Sequence, residues 1–174
     1  MDENKRSRKF LWILITLIFI IIIIIAAYFL FVSKSKNDEE KESIVLKNPV
    51  FGLSDEQAAS QFNESFVLFL LASIGAQNLH NPPLSSNTPK IEVYVDDIVF
   101  GATVINGGLG IIKRSIKDPD IRIRTNKNEA IKMLRDRNYI SKSFRTGNSK
   151  IELLAGKTTL FTKGYLDIYN KIKG

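Results

Sequence analysis

Few side chains in this sequence are of a type and spacing that does chemistry. His80 is the only histidine, and the chain has no cysteine. A lone imidazole without clustered carboxylates is neither a metal site nor half of a nucleophile–base pair, so His80 is read as a surface-loop residue. Asp96-Asp97 and the neighbours Asp118 and Asp120 offer paired carboxylates of the kind that acid–base catalysis uses. At turns and strand ends, however, acidic residues serve turn chemistry first. Gly107-Gly108-Leu109-Gly110 is glycine-rich but belongs to a hairpin signal, with no helix behind it to hold a phosphate. Gly156-Lys157-Thr158 ends like a phosphate-binding loop, yet position 151, where such a loop needs its earlier glycine, is Ile. No constellation specifies catalysis, a cofactor or a metal, and the chain is read as non-enzymatic.

The stretch with the strongest physical meaning carries no chemistry at all. Phe10 to Val32 is 23 residues without a charge, with Thr16 and Tyr28 as its only polar side chains. As a helix it would reach about 35 Å, enough to cross a hydrocarbon core of about 30 Å with some tilt. Trp12 and Tyr28 fall near its ends, where aromatic rings favour the membrane interface. The dense cluster Lys5, Arg6, Arg8 and Lys9 precedes it, while the basic residues that follow are diluted by Asp38, Glu39, Glu40 and Glu42. That asymmetry places the N-terminus in the cytoplasm and the remainder beyond the membrane. The run is too long for the core of a cleaved signal, so it reads as a retained single-pass anchor. The expected organisation is a basic N-terminus over residues 1–9, a transmembrane helix over 10–32, a charged tether over 33–47, and one domain over 48–174. The formal charge of +7 is spread along the chain as an ordinary solvated surface, with no specific nucleic-acid partner implied.

The domain opens with a helix from a capping box at Ser54 and Gln57, running through Ala58, Ala59, Phe62, Phe66, Phe69, Leu70 and Ile74 to a stop at Gly75. Its second half is apolar nearly all round, as in a helix buried on most sides. Asn63-Glu64-Ser65 matches the glycosylation triplet but falls inside that helix and is set aside. A long loop from Gly75 to Lys90 follows. The period then changes to two, giving strands at Ile91–Val95, Ile98–Ile105 (apolar on both faces and so central) and Leu109–Ile112, with Asn106-Gly107-Gly108 as a hairpin turn. A fourth strand spans Asp120 to Thr125, with Ile121 and Ile123 inward and Arg122 and Arg124 on a solvated face. A helix capped at Thr125 or Asn126, a short one from Tyr139 to Phe144, a fifth strand through Ile151, Leu153 and Ala155, and a last helix through Leu160, Phe161, Tyr165, Ile168 and Ile172 complete the chain. Gly164 weakens that last helix without stopping it. The class is α+β: a five-stranded, mostly antiparallel sheet covered by helices.

This order, with Pro119-Asp120-Ile121-Arg122-Ile123, Glu129-Ala130-Ile131-Lys132-Met133-Leu134, Ser143-Phe144-Arg145-Thr146-Gly147 and the strand from Lys150 to Gly156, resembles the type-two sterol carrier protein family of lipid-binding domains. The resemblance implies an apolar cavity between sheet and helices that holds a lipid or another long apolar ligand. Its lining would come from Phe62, Phe66, Phe69, Leu70, Ile74, Phe161 and Tyr165. The alternative is a filled core on an anchored scaffold that binds a protein partner through its exposed loop. The bilayer is the partner in either case.

Overall fold

The capping box at Ser54 forms as its spacing requires. The Gln57 N–H donates to Ser54 Oγ (3.2 Å), and the Ser54 N–H donates to Gln57 Oε1 (2.9 Å). The computed structural model describes residues 12, 19–24 and 46–173, and the chain divides into two compact units, residues 1–45 and 46–174. In the first unit Trp12 and residues 19–24 are helical and exposed. The remainder of the 10–32 span, Tyr28 and nearly all of the 33–47 tether lie outside the described residues. Among the described residues no helix is long and apolar enough to cross a membrane.

In the second unit the order is α1 (Asp55–Ser60), α2 (Glu64–Ser73), a single 3-10 turn (Ala76–Asn78), β1 (Lys90–Val95), β2 (Ile98–Ile105), β3 (Gly108–Ile112), β4 (Ile121–Thr125), α3 (Lys127–Arg135), α4 (Asn138–Arg145), β5 (Lys150–Leu153), α5 (Lys157–Thr162) and α6 (Tyr165–Lys173). The sheet order is β3-β2-β1-β4-β5. β1 and β4 run parallel, and the other neighbours are antiparallel. The sheet is therefore mixed, with one parallel pair at its centre. Asn106 (φ 50°) and Gly107 (φ 80°) both adopt left-handed backbone in the β2–β3 turn, as a two-residue hairpin demands.

Two expected helices are each broken in two. Asn63 turns its side chain onto the Ser65 N–H (2.9 Å) and hydroxyl (2.7 Å) and so starts α2 afresh. A short polar side chain that can accept from the next turn competes with helix continuation. The Asn63-Glu64-Ser65 triplet consequently lies at a helix start, with Asn63 exposed, rather than mid-helix. At the other end Gly164, at φ 84°, stops α5 and lets α6 leave in a new direction, because left-handed backbone ends a helix.

One face of the sheet builds the core. Ile91, Val93 and Val95 of β1, Phe100, Ala102 and Val104 of β2, and Ile121 and Ile123 of β4 are buried against helical residues including Phe66, Val67, Leu71, Ile131, Met133 and Ile168. The Phe62 ring sits 4.9 Å from that of Phe66 and 6.2 Å from that of Phe100, within the range where aromatic pairs attract. On the other face, the segment between β3 and β4 crosses Gly101. A β-carbon there would collide with Ile116 and stand 3.0 Å from the Arg114 carbonyl oxygen, so the crossing needs that glycine.

Candidate functional site

Because β1 and β4 are parallel and in register, with Ile91 opposite Ile121, their first residues lie at one end of the sheet. Asp120 makes that end a junction. Its N–H donates to the Lys90 carbonyl (2.9 Å), its Oδ2 accepts from the Lys90 N–H (2.8 Å), and its carbonyl accepts from the N–H groups of Leu154 and Ala155 (2.9 Å each). Two side chains from the α5–α6 joint close on the same carboxylate. Lys163 Nζ is 2.9 Å from each of its oxygens, and the Tyr165 hydroxyl donates within 2.9 Å of Oδ2. Gly164 turns the chain between them, which allows residues two apart to reach one acceptor.

Lys163 is fully buried. Besides Asp120 its ammonium donates to Asn87 Oδ1 (3.1 Å) and the Thr88 carbonyl (3.0 Å), so all its donors are engaged. A saturated ammonium has no lone pair to offer as a nucleophile or base. Burial, followed by the negative charge of Asp120, pushes the Tyr165 phenol far above its ordinary value of 10.0, so it stays protonated. The cluster fastens the loop before β1, the β4 entry and the last two helices, and it is not poised for proton transfer.

Beside it lies a pocket of about 550 Å³ lined by Asn87, Lys90, Asp118, Pro119, Asp120, Arg122, Leu154, Ala155 and Thr159. Lys90 Nζ donates to the Lys117 carbonyl (3.2 Å), and among the described residues its other hydrogens meet no side-chain or backbone acceptor. Asn87 uses its side-chain oxygen on Lys163, and among the described residues its amide nitrogen meets no acceptor. Pro119, Leu154 and Ala155 supply the apolar wall. The lining thus mixes hydrogen-bond donors with aliphatic carbon, and its polar share is the larger.

From Arg122 a charged row runs over the open face of the sheet. Its Nε donates to Glu92 Oε2 (2.9 Å) and its Nη1 to Glu152 (3.3 Å), while Arg124 Nε meets the other Glu152 oxygen at 2.9 Å. Both guanidinium groups lie over the Tyr94 ring, at 5.4 and 4.4 Å. Burial pushes the Glu92 carboxyl up, but hydrogen bonds from Ser115 and Arg122 outweigh it and hold the group below the usual range. The two arginines expected on a solvated face are therefore spent on carboxylates, and Glu92 among them is buried.

A second polar cluster surrounds Glu129 on α3. Ser143 donates to its Oε2 (2.8 Å), Lys132 to its Oε1 (2.9 Å), and the Tyr139 hydroxyl approaches at 3.1 Å. A carboxylate only accepts, so Ser143 must in turn accept from Ser149 (2.8 Å), and Ser149 from Thr125 (2.8 Å). The hydroxyl chain has a fixed direction and ties the end of β4 to α3, α4 and the entry to β5.

The residues expected to line an apolar cavity go to different places. Phe62, Phe66, Phe69, Leu70 and Ile74 are all buried in the core. Phe161 is 69% exposed on α5 and so outside that buried core. Tyr165 is buried but spends its hydroxyl on Asp120. None of the seven lines the pocket described above. His80 is exposed, with Nδ1 3.1 Å from the Asn81 carbonyl. Among the described residues no three metal-ligating side chains gather. Asp96 accepts from the Lys127 N–H (3.2 Å) at the start of α3 and serves its turn. Asp118, by contrast, reaches the pocket. Lys163 was missed in the sequence. The signal was its place three residues after buried Leu160, at the cap that closes α5.

No family model matches the chain, and no curated protein matches it. Among solved structures it is similar to a UbiJ-SCP2 ubiquinone synthesis protein, at 15% identity and a TM-score of 0.35, over 62% of this chain and 86% of that one. It is similar also to sterol carrier protein 2 like 2 from Aedes aegypti, at 13% identity and a TM-score of 0.36, over 60% of this chain and 92% of that one. Neither likeness assigns a ligand to this chain.

Proposed function

We propose that this chain is a non-catalytic, single-pass membrane-anchored module whose folded unit binds a lipid or another amphipathic ligand. The observation that carries the reading is the pocket beside Asp120, where Lys90, Asn87 and Thr159 share the lining with the aliphatic Leu154 and Ala155. Ligand sites use a few placed polar groups to fix orientation beside their apolar lining, and here the polar share is the larger. The charge-free run from Phe10 to Val32 would hold the pocket near the bilayer, its source of ligand. The sterol-carrier resemblance of residues 119–156 points the same way.

The test is mass spectrometry of an organic extract from residues 46–174, purified without detergent beside a control domain. An enriched amphiphile, lost in Leu154→Arg, supports the reading. Leu154 is 45% exposed, so this change blocks the pocket without opening the core. Absence of any enriched lipid refutes ligand binding. A second reading, an anchored scaffold, is favoured by the close packing of Phe62, Phe66 and Phe100 and by the exposure of Leu84 and Phe161. Orientation is tested separately. Protease outside intact cells, with outer layers removed, should digest the folded unit and spare residues 1–9. Full protection of the unit would reverse the orientation.

A further inference from the structure

We propose that the turn from Asn48 to Leu53 seats the folded unit on a lipid surface, with Phe51 as the inserted side chain. The inference rests on the reading of residues 10–32 as a membrane span and adds a second, non-covalent contact to it. A single exposed apolar side chain is ordinary on a protein surface. Phe51 differs in two respects: how firmly it is held out, and where in the chain it stands.

It is 80% exposed, yet the residues around it are fixed. The Phe51 N–H donates to the Asn48 carbonyl (3.1 Å) and the Leu53 N–H to the Val50 carbonyl (3.2 Å), forming two successive turns. Val50 is buried at 2% exposure, and the Asn48 amide nitrogen is 2.8 Å from the Leu134 carbonyl at the end of α3. From the other side Arg135 Nη2 donates to the Leu53 carbonyl (2.7 Å) while its Nε holds Asp55 (2.9 Å). Gly52 takes φ 78° with open space around it, the backbone that the second turn needs. A side chain presented on a fastened turn has little ordering entropy left to lose on insertion.

The position in the chain names the occupant. Only residues 33–45 separate the apolar run from Leu46, the first described residue of the unit. Thirteen residues, even fully extended, span no more than about 45 Å. Leu46 and the turn that follows it are therefore the part of the unit tied most closely along the chain to the apolar run. Leu46 (37% exposed), exposed Lys47 and Phe51 are on the chain as it enters. Aromatic and aliphatic groups beside a cation suit the headgroup–acyl boundary. Linkage makes the contact intramolecular, so a weak one suffices.

The experiment uses the full chain in phosphatidylcholine vesicles. The natural chain carries a single tryptophan, Trp12, which reports on the anchor. The double variant Trp12→Phe, Phe51→Trp moves the only indole to the turn. If the inference holds, emission from position 51 shifts to the blue, is quenched by brominated acyl chains and resists acrylamide. If Trp12 is quenched by brominated lipid while position 51 stays open to acrylamide, the docking inference is overturned and the anchor stands. If neither is quenched, the anchor reading falls and takes the inference with it. Phe51→Cys carrying a polarity-sensitive dye, in a chain with no other cysteine, repeats the measurement with Trp12 in place. Solvent-like dye emission there would also overturn the proposal.

Discussion

Lys163 holds both carboxylate oxygens of Asp120 at 2.9 Å across a separation of 43 residues, in a site where Lys163 has no solvent exposure. A buried pair of this kind adds little over a well-packed apolar pair, but removing one partner strands a charge. Lys163→Met should lower stability by about 3–5 kcal/mol, read by urea unfolding. Adding Asp120→Asn should recover part of that loss. If the single variant unfolds at the same urea concentration as the natural chain, the junction is not what holds the last two helices.

Gly101 offers a steric test. Gly101→Ala places a methyl group against Ile116 and 3.0 Å from the Arg114 carbonyl, and should cost about 1–3 kcal/mol as overpacking does. Ile116→Ala in the same chain should relieve most of the clash. Additive losses in the double variant would show that the crossing segment does not rest on the sheet at that point.

The acid limb of stability should depend on Glu129. Burial raises its carboxyl pKa, but bonds from Lys132, Ser143 and Tyr139 outweigh that and hold it below 4.5. Between the folded and unfolded values the unfolded chain binds more protons, so stability rises with pH. This contribution is complete above the ordinary value of 4.5 and is lost as pH falls through the depressed folded value. Glu129→Gln should be less stable at neutral pH and flatter in acid, measured as denaturation midpoint against pH. A parallel acid limb in the variant would assign the effect to other carboxylates such as Glu92.

Ser149→Ala should cost about 0.5–1.5 kcal/mol, since it leaves Thr125 without its acceptor and Ser143 without its donor. Thermal unfolding would read it. Ser149→Cys, which restores a weak donor, should fall between. Equal stability of Ala and natural forms would mean that the hydroxyl chain adds nothing to the fastening of β5.

The elements themselves were legible where local chemistry marks them. Ser54 with Gln57, Asn126 at the head of α3 and Asn106-Gly107 each signal through neighbours within three residues, and each forms as expected. The breaks in the two long helices were not legible from period alone, because apolar spacing continues across Asn63 and across Gly164 whether or not the backbone does. Nor does strand order in the sequence reveal that β4 adds beside β1 in parallel. The Asp120 junction depends on that placement, so its parts appeared as an isolated turn aspartate, an unremarked lysine and a tyrosine assigned to an apolar wall. The same holds for Glu92, whose alternation with Ile91 and Val93 suggests a solvated position. The bonds from Arg122 and Ser115 instead let it be buried.

The Asp120 junction also sets a clock. Its carboxylate is made before either of its partners, and Lys163 and Tyr165 follow 43 and 45 residues later. At about 5–20 residues per second, translation leaves that carboxylate without its ammonium for roughly 2–9 s. Throughout that interval the β1–β2–β3 hairpins can zip up, but the end of the sheet where β4 enters stays wet. If the nascent domain closes in the order in which it is made, it seals from the hairpin side inward and the α5–α6 joint comes last.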